Sequence, residues 1–399
     1  MGNEETIPAA VGGQPDRPRL KDLFLSFLRL GLTAFGGPVM VAYIGELSVK
    51  RKKWLDQETF KQGVALCQSI PGATAMQTAA YVGLRTNGIP GALASYVGFG
   101  LPAFVLMVIL SSLYVAAHGL SWTVALFSGL QVIVVAIVAN ATYAFGRGAL
   151  KTYTDVFLAA ASACAFGLGV SPFYVIVGAA VAGIAFAQTK GVLAGSGETK
   201  GRPPVILSHL LILLLIILAG IFFVYVFQRK IFTLVLLMLK IDLFAFGGGF
   251  SSVPLMMHEI VDVRGWLDSK TFMDGIALGQ VTPGPIVITA TFVGYLLHGL
   301  IGAVAGTLAI FAPSFTLLVI GSLFFDRLKQ SRFFASATAG ALASFVGLLL
   351  YVTFKFAFAV PWDVIRIAML VAAFAALLRK IDMLYVVLIG AAISLLLLR

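Results

Sequence analysis

The sequence predicts an all-α polytopic membrane protein: two inverted-topology repeats with broken or re-entrant helices at four glycine and proline motifs, plus one extra central transmembrane helix. Three observations carry this expectation. Of 399 residues, 60% are hydrophobic and 11% charged, with a mean hydropathy of +1.00. That is too little polar surface to cover a soluble globule of this size. The apolar runs are each about 20 residues long, enough to cross a ~30 Å hydrocarbon core. Finally, the chain repeats itself. FGGPVMVAYIGELSVKRKKWLDQETFKQGVALCQSIPGATAMQTAAYVG, Phe35 to Gly83, matches FGGGFSSVPLMMHEIVDVRGWLDSKTFMDGIALGQVTPGPIVITATFVG, Phe246 to Gly294. The offset stays near 211 through Pro102 and Pro313, and internal duplications of this kind are common in secondary transporters.

Taken in order, residues 1–20 are polar, with proline and glycine, and are expected to form a disordered tail rather than a signal peptide. Residues 21–189 form the first repeat, 190–204 a cytoplasmic linker, 205–228 the extra helix and 229–399 the second repeat. The net charge of +11 lies mostly in short loops, which fits the positive-inside rule and not nucleic-acid binding. The loop after FGGP reads KRKK, Lys50 to Lys53. Its equivalent carries Glu259, Asp262 and Asp268 against Arg264 and Lys270, so the same loop is expected on opposite faces. The other basic loops are Arg17 to Lys21, Arg147 with Lys151, Lys190 to Arg202, Arg327 to Arg332, and Arg379 with Lys380. All of them fall in the cytoplasm, with the N-terminus, if the FGG run and the PG run of each half enter and return. The runs near 89–115, 121–146, 153–170, 172–189, 205–227, 299–325, 333–358, 361–378 and 382–398 then span. Arg229, Lys230 and Arg399 remain outside as exceptions.

In a helix interior glycine costs roughly 1 kcal/mol relative to alanine, and an opened turn in hydrocarbon strands polar groups. Four segments accept that cost: Gly36, Gly37 and Pro38; Pro71 and Gly72; Gly247, Gly248 and Gly249; and Pro283, Gly284 and Pro285. Broken backbone of this kind is tolerated where it lines a cavity, and the half-helix N-termini it creates attract anions. Close helix packing is the competing account of a glycine. Glycine with proline, at two places in both halves, favours broken helices around a midplane site.

Arg29 and Lys240 lie seven residues before Gly36 and Gly247, placing a cation at one site in each half. Intramembrane cations are expensive, and the pair is a candidate site for one divalent oxyanion, with snorkelling as the alternative for Arg29. At an effective dielectric near 20, a dianion ~4 Å from one cation gains roughly 8 kcal/mol before desolvation. Gln68 and Gln280, three residues before each PG, add side-chain donors. Glu46, Asp242 and Glu259 are candidates for proton coupling. Asp56 and Asp268 of the WLD segments are expected helix N-caps, with Trp54 and Trp266 at the membrane interface. Cys67 and Cys164 have no ligand-spaced neighbours, so neither a disulfide nor a metal site is expected. No HExxH motif, buried His with a Ser or Cys partner, or acidic metal pair is seen, which points away from an enzyme and from a cofactor.

FGGP with IPG in the first half and FGGG with TPGP in the second, with WLDxxTF between them in both, resemble the chromate ion transporter family in its long two-domain form. The resemblance runs from about Arg19 through nearly the whole chain. Where that family usually has PGP twice, the first half here reads Pro71, Gly72, Ala73. The resemblance implies efflux of chromate across a prokaryotic cytoplasmic (inner) membrane, with sulfate as a similar competing oxyanion and chromate resistance as the outcome. The residues by themselves reach an inverted-repeat transporter for an anion. A dianion leaving an interior at −100 mV gains roughly 4.6 kcal/mol, so efflux needs no coupled ion; proton antiport applies if one of the three acids is essential. A sulfate or other oxyanion importer and a lipid flippase with re-entrant hairpins are the alternatives. A homodimer is expected by analogy with other transporters.

Overall fold

In a computed structural model of the chain, residues 17–35, 39–117, 119–188 and 205–398 are described. Most of the predicted tail (1–16), Gly36, Gly37 and Pro38 of the first FGG motif, and linker residues 189–204 lie outside the described residues.

Among the described residues the secondary structure is helical, without strands. The first half comprises α1 (Leu20–Thr33), α2 (Val39–Gly45) running into a π turn (Glu46–Arg51), α3 (Gln57–Ser69), α4 (Thr74–Ala117), α5 (Ser121–Ala149), α6 (Tyr153–Gly167) and α7 (Pro172–Gln188). Helix α8 (Val205–Phe227) follows. The second half has α9 (Arg229–Phe244), a 3-10 turn (Gly249–Ser251), α10 (Ser252–Met256) with its own π turn (Met257–Val263), and α11 (Ser269–Val281). A second 3-10 turn (Ile286–Ile288) leads into α12 (Thr289–Gln330), α13 (Arg332–Ala359), α14 (Val364–Leu378) and α15 (Met383–Leu397). The α-helices of the two halves correspond one for one, down to the π turns, while among the described residues the two 3-10 turns belong to the second half alone. Four described helical stretches are long and apolar enough to cross a membrane: Thr74–Ala117, Ser121–Ala149, Ile286–Phe325 and Arg332–Ala359.

Both WLD segments start a helix as their chemistry demands. The Asp56 carboxylate accepts the Thr59 N–H at 2.8 Å and its hydroxyl at 2.7 Å, and Asp268 accepts the Thr271 N–H at 2.7 Å. Hydrogen bonding to the charged form holds the Asp56 carboxyl below the usual carboxylate range.

The long helices α4 and α12 are each two limbs. Backbone φ turns positive at Gly88 (64°) and Gly299 (61°), directly after non-helical Asn87 and His298, and the chain reverses there. A Cβ on Gly83 would lie 2.1 Å from the Gly91 carbonyl oxygen, and one on Gly294 2.2 Å from that of Gly302. Backbones eight residues apart meet only in a hairpin, since a continuous helix would separate them by ~12 Å. The Thr291 and Thr307 hydroxyls, 2.7 Å apart, extend the same antiparallel contact. Pro90 follows the first reversal at once, where a helix start leaves its missing N–H without consequence.

Helix α3 packs antiparallel to the first limb of α4, with Gly63 against the Tyr81 ring. Pro71 and Gly72 form the tip of this hairpin, and the second limb, 89–117, runs the full length of the bundle. The Asn87 amide donates to the Pro18 carbonyl at 2.8 Å, which sets the turn of α4 beside the start of α1 on one face. The second limb, α5, α6, α7 and α8 lie between the start of α1 and the start of α9, an odd number of helices, as an inverted arrangement of the two halves requires.

Each half packs its long helix into the other. Helix α13 lies against α6 and α7, and α5 lies against α14 and α15. Small residues permit the close approach: a Cβ on Gly347 would meet the Ala159 carbonyl oxygen at 2.1 Å, and one on Gly340 that of Ala179 at 2.2 Å. Close packing thus explains these glycines, while the FGG and PG glycines do something else.

Candidate functional site

The broken segments of the two halves bind each other. The Gly72 N–H donates to the Ala245 carbonyl at 2.8 Å, and the Gly284 N–H to the Ala34 carbonyl at 3.1 Å. Each PG tip is therefore pinned to the residue where the opposite half leaves its first helix. Gly72 (φ 116°) and Gly284 (φ 118°) share one backbone conformation, so PGA and PGP build the same tip despite their third residue. Only glycine adopts this conformation without strain. Gly247 (φ 89°) and Gly248 (φ 104°) do likewise in the FGGG break.

Around these tips lies a cavity of about 560 Å³. Three helix starts line it: Ala73 to Ala75 at the head of α4, Gly247 to Phe250 before α10, and Gly284 to Ile286 before α12. Met40 to Ala42, in the first turn of α2, add a fourth wall. The first helical bond of α4 runs from the Gln77 N–H to the Ala73 carbonyl, so the amides ahead of it are helix-start donors without an intrahelical acceptor. One face of α3 completes the lining with Gln57, Lys61, Val64, Ala65 and Gln68, at the spacing that puts side chains on one helical stripe. The described lining residues hold one cation, Lys61, and no carboxylate. Gln280 also lines the cavity, and its buried amide nitrogen has no hydrogen-bond partner. Such a chamber offers donors and positive dipole ends, which suits an anion.

The predicted site residues separate into two groups. Gln68, Gly247, Gly248, Gly249, Gln280, Gly284 and Pro285 line the cavity; Pro71, Gly72 and Pro283 are buried in the tips that shape it. Arg29 and Lys240 do not line it. Arg29 is exposed, and Lys240 donates to Glu259 at 3.0 Å with its ammonium 3.6 Å from the Phe173 ring centre. Glu259 also bonds Arg264, and Glu46 pairs with Arg51 at 2.8 Å. Asp242 is fully buried: one carboxylate oxygen accepts both the N–H and the hydroxyl of Ser314 at 2.7 Å, and the other has no partner.

Several residues escaped sequence reasoning. Lys61 aligns with Met273 and Ser314 with Ala103, so the repeat alignment, which directs attention to what is shared, passes over both. Gln131 and Tyr114 donate to Asp274 at 2.8 and 2.9 Å, tying α11 to α5 and α4. Nothing in the sequence links three residues so far apart.

The family model described as Chromate transporter matches residues 21–184 and again 232–395, one match per repeat. The chain belongs to the chromate transporter family. Among its relatives, an uncharacterized transporter of Methanocaldococcus jannaschii is 43% identical over 94% of this chain and 94% of that protein. The chromate transport protein of Cupriavidus metallidurans is 29% identical over 83% of this chain and 80% of its own, and that of Pseudomonas aeruginosa 29% identical over 88% and 85%. No solved structure matches the chain. Family membership agrees with the two-repeat, all-helical architecture and makes the protein a transporter rather than an enzyme.

Proposed function

We propose that the protein is a secondary transporter that binds chromate in the cavity between the broken helices and exports it across the prokaryotic cytoplasmic membrane, with sulfate competing for the same place. The observation that carries this reading is the convergence of helix starts on one chamber that contains Lys61 and no acid among its described lining. Backbone amides at the heads of α4, α10 and α12 hold the oxyanion, Gln68 and Gln280 donate from either side, and Lys61 supplies the positive charge. Gly36, Gly37 and Pro38, outside the described residues, match Gly247, Gly248 and Gly249 in the sequence repeat. Lys240 serves the ion pair with Glu259, and Arg29 the surface.

The hairpins are re-entrant in this reading: α1 with α2, and α3 with the first limb of α4, enter and leave on the side of the N-terminus and Lys50 to Lys53. That side is cytoplasmic by charge. In this reading the cavity mouth lies on that side, beside Gln57 and Lys61 near the start of α3, and internal anion loads there. Expulsion then runs with the membrane potential, roughly 4.6 kcal/mol for a dianion through 100 mV.

Chromate flux into and out of proteoliposomes under an imposed potential tests this. Flux should follow the voltage, fall with added sulfate, and survive Arg29→Gln and Lys240→Gln. Absence of chromate flux at every voltage and proton gradient, with movement of a labelled lipid between leaflets instead, would replace the anion reading by a flippase.

A further inference from the structure

The junction behind the cavity wall contains more acceptors than donors. Asp242 of α9 has no exposed surface, and its Oδ1 has no hydrogen-bond partner. Gln77 of α4, also fully buried, donates from Nε2 to the Pro71 carbonyl at 2.6 Å and approaches the Ser314 carbonyl at 3.3 Å. Both partners are acceptors, so the amide cannot be flipped, and Gln77 Oε1 is left without a donor. Two oxygens without a protein donor thus sit in one buried cluster, beside Ser314. A buried carboxylate with one oxygen unmet is among the costliest groups a protein interior can hold.

Among the described residues no cation is paired with Asp242. Lys240, two residues earlier, is committed to Glu259 and Phe173. The titratable side chain facing it is Tyr96 of α4, whose hydroxyl donates to the Phe311 carbonyl at 2.8 Å. The junction does not need the acid for its architecture either. At the opposite crossing, the positions of Asp242, Ser314 and Gln77 are held by Gly31, Ala103 and Ile288, and the same tip-to-helix bond, Gly284 to Ala34, forms there without any acid.

We propose that Asp242 is a proton-binding site linked to the anion cavity, so that one proton and one oxyanion are taken up together. This rests on the oxyanion reading above. Ser314 Oγ donates to Asp242 and accepts the Ala73 N–H at 3.1 Å, and Ala73 lines the cavity. One hydroxyl therefore separates the acid from the helix start that receives the anion. Ionised, Asp242 opposes a dianion there by like charge; protonated, it does not, so each ligand raises the affinity for the other. The sign is co-binding, in place of antiport. Each exported dianion then carries a proton outward and moves one net negative charge, so the potential still drives export.

Sulfate binding to the purified full-length protein tests this, because sulfate remains a dianion where chromate itself takes up a proton. Wild type should bind sulfate with an affinity that falls toward tenfold per pH unit above the titration of Asp242, and should take up about one proton per anion from weakly buffered solution. Infrared spectroscopy of wild type should show a protonated-carboxyl stretch that grows with sulfate. Asp242→Asn should bind sulfate with no pH dependence and no proton uptake, and Asp242→Glu should restore both. Binding that is pH-independent and proton-silent in wild type overturns the inference while leaving the oxyanion site standing, as does control of sulfate affinity by sodium instead of pH. No binding of sulfate or chromate at any pH overturns the oxyanion reading and this inference with it.

Discussion

Helices α3 and α11 carry the same pattern, WLD, then TF, then Gly-x-Ala-Leu, then Gln three residues before Pro-Gly, and they are placed differently. On α3, the face of Gln57, Lys61, Val64, Ala65 and Gln68 opens onto the cavity. On α11, the corresponding Met273, Ile276 and Ala277 are sealed, packed where α5 and α15 close over them. Tyr114 and Gln131 lock this side through Asp274, and Phe272 meets Phe356 with ring centres 6.3 Å apart. At the symmetric crossing over α3 the positions of Asp274, Tyr114 and Gln131 are held by Gln62, Phe325 and Leu342, which carry no carboxylate to make the same lock. Two copies of one motif thus stand in two environments, one lining the cavity and one sealed from it.

The largest effect should come from the tips on which both hairpins turn. A Cβ on Gly72 would lie 2.0 Å from Ser314 Oγ, and one on Gly284 2.8 Å from the Ala103 Cβ. Gly72→Ala and Gly284→Ala should each abolish flux, from backbone strain on the order of 1–3 kcal/mol plus the overlap, with Gly72→Ala lowering the melting temperature further. If Gly72→Ala alone melts like wild type, the tips are not the rigid points of the comparison.

Next is the lock. Asp274→Ala leaves the Tyr114 hydroxyl and the Gln131 amide without this acceptor, about 1–3 kcal/mol against the closed side. In a background with Cys67 and Cys164 replaced, Met273→Cys should resist a membrane-impermeant maleimide, and adding Asp274→Ala should make it react. Equal labelling in both would mean that packing alone holds α11 shut. The smallest effect is expected from Lys61→Met, which gives α3 the residue of α11. Chromate affinity should fall roughly fivefold, about 1 kcal/mol for a charge on an exposed wall, with melting unchanged.

Much of the scaffold is legible in the chain. Glycine with proline in an apolar run marks a break because the backbone physics admits few other reasons, and Asp before a helical run marks its start because its carboxylate meets orphan amides. The positions of the reversals were legible too, since runs expected from residues 89 and 299 begin beside Gly88 and Gly299. The polar residues were harder. Arg29 and Lys240 align, but each sits on a helix whose rotation, set by packing against the second limbs of α4 and α12, turns it away from the cavity. Lys61 was hidden for the opposite reason: it breaks the repeat, and its place on the cavity wall comes from which face of α3 remains uncovered.

The sequence by itself determined the duplicated, helical, membrane-length architecture and, among the described residues, the breaks at Gly72, Gly247 with Gly248, and Gly284, because hydropathy, glycine and proline act locally along the chain. Only the tertiary structure decided that the tips of one half bind the other, that α3 is open while α11 is sealed, and that Asp242, Ser314 and Gln77 meet beside the cavity wall. Those facts depend on contacts between residues far apart in the chain, Ala73 and Ser314 being separated by 241 positions, where the energy of a hydrogen bond or a buried face is decided by partners that no local pattern names.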